Sequence, residues 1–213
     1  SVDSPNLYWV RTEIIQNGKV VDRTDSRFGI RYIATNPNSG FYLNGVHTKL
    51  NGVCEHSDLG SLGMETYQAA VDRRIRTLKK YGVNAIRTSH NPVSPEFIEA
   101  CDRLGMLVFE EAFDQWLYSK NSDDYHNYFN KAADGKTVVF DKAGNDNTNN
   151  DTSYIEVKRE DLQSNAERDI KAMVDRDKNA PCIFAWSTGN EIYDARYKHG
   201  ENTLDMLTGW IKE

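Results

Sequence analysis

Residues 83–113 have the sequence VNAIRTSHNPVSPEFIEACDRLGMLVFEEAF, in which two apolar runs flank a helical segment. Short, continuous apolar runs are typical of parallel strands that are buried on both faces of a sheet. Between the two runs, Ser94 and Pro95 mark the beginning of a helix and Gly105 marks its end. This stretch therefore predicts a strand, a helix and a second strand in succession.

The same alternation extends along the chain in both directions. We predict a strand and a helix before this stretch, and a helix, a strand and the start of a further helix after it: 48–57, 65–80, 157–177, 181–191 and 201–213. Strands and helices that alternate four times predict an α/β fold, either a small open doubly wound sheet or half of an eight-stranded barrel. No GxGxxG or GxxxxGKS/T pattern follows these strands, which excludes the usual nucleotide-binding sites.

The beginning of the chain has a different pattern, which predicts antiparallel strands. LYWVRTEII and VVDRTDSRF flank the turn sequence Asn17-Gly18-Lys19, and a second pair of apolar runs flanks Asn44-Gly45. Asn-Gly pairs between alternating runs are typical of hairpin turns. We therefore predict that residues 1–36 are the last strands of a β-sandwich.

Composition limits the class of protein. The chain has 213 residues, 38% hydrophobic and 27% charged, as in ordinary soluble globular proteins. Its net charge of −6 argues against nucleic acid or an anionic membrane as a partner, and no apolar run approaches the ~20 residues of a membrane span. The three cysteines lack CxxC spacing, so we expect neither a zinc site nor a disulfide framework. The chain begins without a signal sequence and ends within a helical pattern, so we expect a fragment of a longer protein.

Polar side chains follow each of the four predicted parallel strands. Active sites of α/β barrels and of open α/β sheets lie at the carboxyl ends of the strands, so these side chains are candidates for function. Neighbours on a strand face opposite sides, so one of Glu110 and Glu111 is expected to be structural. The histidines and the arginine could also have purely structural roles. A single histidine can be a polar residue whose hydrogen bonds are satisfied within the fold, and Arg87 can pair with Glu111 or Asp114. The candidates are His56, Asp58, Arg87, His90, Glu111, Asp114, Asn190 and Glu191.

The strand that ends in WSTGNE, residues 186–191, indicates the chemistry. A buried strand has no structural use for Asn190 and Glu191 at its end, whereas a catalytic site has one. A carboxyl group in a low-dielectric pocket has a raised pKa and can donate a proton near neutral pH, and we expect Trp186 to wall such a pocket. The Asn190 amide can bind a sugar hydroxyl, and Trp116 and Tyr193 suit the apolar faces of a pyranose ring. These features favour glycoside hydrolysis, which requires two carboxylates across the scissile bond.

Four motifs occur in a characteristic order and spacing: LNGVCEHSDLG (50–60), NAIRTSHNP (84–92), CDRLGMLVFEEAFDQW (101–116) and RDKNAPCIFAWSTGNE (176–191). Together they resemble glycoside hydrolase family 2, to which the β-galactosidases and β-glucuronidases belong. The resemblance implies a retaining β-glycosidase with a (β/α)8 TIM barrel. It implies that residues 1–38 are the last strands of an immunoglobulin-like β-sandwich and that residues 39–213 are the N-terminal half of the catalytic barrel.

The resemblance also implies roles for individual residues. Glu191 matches the general acid/base of the family, and Asn190 matches the asparagine that contacts the 2-hydroxyl group of the sugar. The FDQW motif is similar to one branch of β-galactosidase-like members, which favours a β-galactoside as the substrate. The residues expected to bind substrate are His56, Asp58, Arg87, His90, Glu111, Asp114, Trp116 and Asn190.

Two departures from the family pattern bear on binding. Ser57 stands where members often have a second histidine, which removes one polar contact. FDQW lacks the acid-x-His that helps some members bind magnesium, so we expect no metal by that route and no other cofactor. Residues 143–151, AGNDNTNND, are rich in oxygen ligands, but their spacing differs from that of an EF-hand, and we expect a flexible insertion.

The second carboxylate of a retaining mechanism is missing from these motifs. In the family it is a glutamate on the seventh strand, so we expect this chain to be inactive without the rest of its polypeptide. Half a barrel would leave two open strand edges, which favour self-association. The expected partners are a β-linked carbohydrate and the remainder of the polypeptide. Two interpretations compete: a non-catalytic carbohydrate-binding or scaffold protein with a barrel fold, and a metal hydrolase that uses His56 and His90, although these lack HxH spacing.

Overall fold

The computed structural model describes residues 1–116, 159–196 and 198–213. The insertion predicted at residues 143–151 lies outside the described residues. The chain divides into two compact units, Ser1–Glu110 with Arg176–Trp186, and Glu111–Asp175 with Ser187–Glu213. We call them the first unit and the second unit. Among the described helices, none combines the length and the apolar character needed to cross a membrane.

An antiparallel hairpin opens the first unit. Its strands are β1 (Tyr8–Gln16) and β2 (Lys19–Phe28). Asn17 and Gly18 connect them with φ values of 51° and 74°, which are left-handed. Glycine adopts this conformation without steric cost, and asparagine tolerates it better than most residues. The first predicted hairpin turn is therefore confirmed.

A second antiparallel sheet follows the hairpin. It consists of β3 (Ile33–Asn36), β4 (Gly40–Leu43) and β5 (Val46–His47), in that order. Asn44 and Gly45 connect β4 to β5 with φ values of 52° and 77°, which confirms the second predicted turn.

The third sheet is parallel and contains β6 (Gly52–His56), β7 (Ala85–Ser89), β8 (Leu107–Glu111) and β9 (Ile183–Ser187). In the described part of the chain its spatial order is β6–β7–β8–β9, the same as the order in the sequence. β7 pairs in parallel with both β6 and β8. Consecutive strands lie side by side in a barrel, whereas the strand order of a doubly wound sheet reverses at a switch point. Of the two predicted α/β architectures, the structure therefore selects the partial barrel.

Helices follow the parallel strands, as predicted. They are α1 (Gln68–Lys80), α2 (Pro95–Leu104), α3 (Arg159–Asp177) and α4 (Lys198–Lys212), with short 3-10 helices at Gly60–Leu62 and Tyr193–Arg196.

The ends of α2 lie where the sequence predicts them. The Ser94 hydroxyl oxygen accepts a hydrogen bond from the backbone N–H of Phe97 at 3.3 Å, and Gly105 ends the helix with a left-handed φ of 74°. The start of α1 was predicted three residues too early. The backbone of Tyr67 is extended, with ψ of 120°, so the helix begins only at Gln68.

β7 and β8 of the parallel sheet are buried on both faces, whereas one face of β6 is exposed. Ile86 of β7 belongs to a cluster with Ile75 of α1 and Ile98 of α2. Its neighbour Ala85 faces the opposite way and belongs to a separate cluster with Leu43 of β4. Strands buried on both faces explain the continuous apolar runs in the sequence. The polar residues at the strand ends are therefore the part of the sheet that is available to bind a ligand or to take part in catalysis.

Candidate active site

The first unit brings the two predicted histidines together. His56 ends β6, and His90 follows Ser89, the residue opposite His56 in the register of β7. The two imidazole ring centroids are 5.3 Å apart, and the rings are nearly perpendicular. Asn91 Nδ2 donates a hydrogen bond to Ser57 Oγ at 3.2 Å, which joins the segments that follow the two strands. The polar residues that follow two of the four predicted strands therefore lie close together in the first unit.

Arg87 lies on the same side of the sheet as the histidine of β6. Its register partner is Cys54, and Arg87 Nη1 is 3.9 Å from Cys54 Sγ. Cys54 and His56 are two residues apart on one strand, so their side chains face the same side. Arg87 and His56 therefore belong to one polar surface of the first unit.

Arg74 of α1, which the sequence did not single out, binds the end of β6 and the segment after it. Its guanidinium forms ion pairs with Glu55 at 2.8 Å and with Asp58 at 3.4 Å. Burial raises the pKa of Glu55, and the positive charge of Arg74 opposes this shift. Several cations occur on α1, so charge alone could not identify Arg74 as the one that contacts the site.

The second unit joins the end of β8 to the turn that follows β9. The Ser187 hydroxyl donates a hydrogen bond to Glu111 Oε2 at 2.7 Å, and the Ala112 N–H donates to the Ser187 carbonyl at 2.9 Å. The Asn190 N–H donates to the Phe113 carbonyl at 3.1 Å. Glu111 is fully buried in this arrangement.

Side chains from the FDQW motif bind the same turn. Asn190 Nδ2 donates a hydrogen bond to Asp114 Oδ1 at 3.0 Å, and Trp116 Nε1 donates to the Thr188 carbonyl at 2.8 Å. Gly189 is closely enclosed, since a Cβ at this position would lie 2.9 Å from Trp116 Nε1. Asn190 and Trp116 are each only 8% exposed. The structure thus brings three predicted site residues, Asp114, Trp116 and Asn190, together at the end of β9.

Glu191 follows Asn190 in an uncommon backbone conformation. Its φ is 47°, in the left-handed region that non-glycine residues rarely adopt and that is enriched at functional sites. Its side chain is exposed, while that of Asn190 is buried. The described residues therefore do not form the predicted low-dielectric pocket around Glu191, because Asn190 takes the enclosed position. Trp186, which we expected to wall that pocket, packs against the apolar core of the first unit.

Glu110 and Glu111 have different partners, as their alternation predicts. Glu110 Oε1 accepts a hydrogen bond from Arg176 Nη2 at 3.3 Å, and Arg176 also donates to Asp177. Burial raises the pKa of Glu110 to about 8, and the charge of Asp177 adds to this shift while that of Arg176 opposes it. Burial therefore favours the protonated form of Glu110, and its contact with Arg176 is a structural one.

The chain is similar to glycoside hydrolases in sequence and in structure. Residues 36–213 match the family model described as glycosyl hydrolases family 2, TIM barrel domain. The chain is 37% identical to a β-galactosidase of Bacteroides ovatus, over 96% of this chain and 20% of that protein. It is 32% identical to a β-glucuronidase of Bacteroides fragilis, over 51% of this chain and 16% of that protein. A glycosyl hydrolase family 2 member from Bacteroides cellulosilyticus has a similar structure, with a TM-score of 0.78 and 38% identity over 100% of this chain and 23% of that one.

These similarities extend over most of the chain but over a small part of its relatives. The chain spans about a fifth of the length of the β-galactosidase and of the solved structure. The family match includes the whole parallel sheet and the polar residues that follow its strands. The chain therefore belongs to glycoside hydrolase family 2, and its parallel sheet is part of the TIM barrel of that family.

Proposed function

We propose that this chain is part of a retaining β-glycosidase in which Glu191 is the general acid/base. The observation that carries the proposal is the turn after β9, where exposed Glu191 follows buried Asn190 at the carboxyl end of a barrel strand. Active sites of barrel enzymes lie at this end of the strands. The family match and the similarity to a β-galactosidase and a β-glucuronidase support the reaction class.

The proposed reaction has two steps. In the first, the Glu191 carboxyl group donates its proton to the glycosidic oxygen as the bond between C1 and that oxygen breaks, and a second carboxylate attacks C1 to form a covalent glycosyl-enzyme. In the second, the Glu191 carboxylate takes a proton from a water molecule as the water oxygen attacks C1, and the second carboxylate leaves. Two substitutions at C1 retain the β configuration. The resemblance implies that the second carboxylate lies outside this chain.

The proposed substrate is a terminal β-galactoside, which the FDQW motif favours. Asn190 would contact the 2-hydroxyl group of the sugar. The two imidazoles of His56 and His90, 5.3 Å apart, would bind further hydroxyl groups together with Arg87. Asp58, which Arg74 holds in an ion pair, would contribute another contact from the segment after β6.

The proposal includes a preceding β-sandwich, of which residues 1–38 would be the last strands. Hairpin β1–β2 exposes large apolar side chains on the first unit, among them Trp9 (66% exposed) and Ile15 (64% exposed). Further strands of such a domain would cover them, because large apolar side chains on an open sheet otherwise favour association.

The test compares kcat/KM for the complete polypeptide that contains this chain with kcat/KM for its Glu191→Gln variant. Two β-galactosides are used: the 2,4-dinitrophenyl galactoside, whose leaving group needs no proton, and the methyl galactoside, whose leaving group needs one. Loss of the general acid is expected to lower kcat/KM for the methyl galactoside by about 10²- to 10⁴-fold. It is expected to change kcat/KM for the dinitrophenyl galactoside little, because that leaving group needs no proton. Glu201→Gln, at an exposed carboxylate of α4, is the matched control.

Equal losses on both substrates would contradict the role of Glu191 as the acid. A wild-type protein that binds galactose but hydrolyses no aryl β-galactoside, β-glucuronide or β-mannoside would support the non-catalytic carbohydrate-binding interpretation instead.

A further inference from the structure

The FDQW motif holds the turn that carries Glu191. Within the second unit, this motif supplies a backbone acceptor at Phe113, a carboxylate acceptor at Asp114 and an indole donor at Trp116. Their partners are the backbone N–H of Asn190, the side-chain amide of Asn190 and the carbonyl of Thr188. One short motif therefore fixes both the backbone and a side chain of the neighbouring turn.

The bond from Asn190 to Asp114 fixes the orientation of the amide. Asp114 Oδ1 accepts the hydrogen bond from Asn190 Nδ2, so the NH2 group of Asn190 faces the Asp114 side chain. The amide oxygen, which is a hydrogen-bond acceptor, lies in the same plane on the other side of Cγ from the NH2 group. A rotation of the amide by half a turn would exchange donor and acceptor with almost no change in shape. Asp114 thus selects what Asn190 presents to a ligand.

Trp116 contacts the turn through the edge of its indole ring. Its N–H donates to the Thr188 carbonyl at 2.8 Å, and a Cβ at Gly189 would lie 2.9 Å from the same nitrogen. Stacking on a sugar needs a large exposed ring face, unlike a single hydrogen bond, and this residue is only 8% exposed. Its contacts are therefore those of a support for the turn.

We propose that Asp114 and Trp116 are positioning residues that act through the 188–191 turn and not by contact with the sugar. Asp114 orients the Asn190 amide so that its oxygen accepts a hydrogen bond from the 2-hydroxyl group. Trp116 fixes the backbone that carries Glu191. This inference rests on the proposed function, because it states how the same site is held in place.

The test for Trp116 is a ratio of two kcat/KM values of the complete polypeptide, that for the methyl glycoside over that for the dinitrophenyl glycoside. Trp116→Phe removes the indole N–H and keeps an aromatic ring. Loss of one neutral hydrogen bond that positions the acid is expected to lower the ratio about fivefold. The ratio is independent of the fraction of folded protein, so a loss of stability alone leaves it unchanged. Trp210→Phe, on α4, is the matched control.

The test for Asp114 is a second ratio, kcat/KM for the dinitrophenyl glycoside over kcat/KM for its 2-deoxy analogue. Asp114→Ala is expected to lower this ratio about tenfold, because the 2-hydroxyl group loses an oriented acceptor. Asp114→Asn keeps an oxygen that can accept from the Asn190 NH2 group and is expected to restore most of the ratio. Asp205→Ala, at an exposed position of α4, is the matched control.

The outcomes separate this inference from the proposed function. An unchanged first ratio in Trp116→Phe, or an unchanged second ratio in Asp114→Ala, overturns the positioning role of that residue. If the proposed function itself fails, Glu191→Gln leaves the first ratio unchanged and Asn190→Ala leaves the second unchanged.

Discussion

The free energy of unfolding is expected to fall as the pH rises, because the buried Glu110 carboxyl group resists losing its proton in the folded state. Its side chain is fully buried at the end of β8, 3.3 Å from Arg176 Nη2. Burial, followed by the charge of Asp177, raises its pKa from 4.5 to about 8. Above pH 4.5 the folded state therefore keeps a proton that the unfolded state releases. The stabilisation is complete below pH 4.5 and is lost as the pH rises through 8.

The magnitude follows from the difference between the two pKa values of Glu110. Each pH unit between them lowers the free energy of unfolding by about 1.4 kcal/mol. From pH 5 to pH 8 the loss amounts to roughly 3 kcal/mol. Glu110→Gln removes this dependence, because the amide has the shape of the protonated carboxyl group and its oxygen can still accept from Arg176.

The assay is urea unfolding of the wild type and of Glu110→Gln, followed by tryptophan fluorescence at several pH values between 5 and 8. The free energy of unfolding of the wild type is subtracted from that of the variant at each pH. This difference removes the contributions of the other titrating groups, which the two proteins share. The variant is expected to match the wild type near pH 5 and to exceed it by roughly 3 kcal/mol at pH 8. Glu65→Gln, at an exposed position, is expected to follow the wild type. If the wild type instead gains stability over Glu110→Gln as the pH rises, Glu110 is an ionised partner of Arg176 and the reasoning is refuted.

Three further substitutions test the turn after β9 and the packing of the helices. Gly189→Ala is expected to lower kcat/KM for the methyl galactoside by about tenfold or more, because its Cβ would lie 2.9 Å from Trp116 Nε1, which its hydrogen bond holds in place. At Gly209 a Cβ meets no atom within 4 Å, so Gly209→Ala should leave kcat/KM unchanged. Ser94→Ala should lower the free energy of unfolding by about 1 kcal/mol, since it removes the cap of α2, and Ser94→Asp should retain that stability in the same urea assay. Ile75→Ala should lower the free energy of unfolding by about 2–5 kcal/mol because the side chain is completely buried, and a loss below about 1 kcal/mol would contradict the packing described here.

Local chemistry explains which parts of the fold could be predicted. The turn at Asn17-Gly18 and the two ends of α2 could be predicted, because few residue types adopt a left-handed turn conformation or cap a helix. The start of α1 could not be predicted because the residue at its N-cap is Tyr67, whose side chain makes no capping hydrogen bond and is not typical of a helix start. The choice between a barrel and a doubly wound sheet needed the strand order, which depends on contacts between distant segments.

In the candidate site, too, some contacts could be predicted from the sequence and others could not. Parallel strands place their carboxyl ends at one edge, so the meeting of His56 with His90 could be predicted from the sequence. The partner of each polar side chain could not. Asp114 and Asn190 are 76 residues apart, and their hydrogen bond depends on the conformation of two irregular segments. Glu191 is exposed for a similar reason, since the backbone of the turn gives the buried position to its neighbour.

Trapping with azide tests most directly whether Glu191 is the acid/base of a retaining mechanism. The complete polypeptide with Glu191→Ala is incubated with dinitrophenyl β-galactoside and sodium azide, and the product is identified by NMR. Azide can attack C1 of a glycosyl-enzyme without a general base, so we predict faster turnover with azide and β-galactosyl azide as the product. Turnover that azide does not change, or an α-galactosyl azide product, would contradict the role of Glu191 or the retaining mechanism.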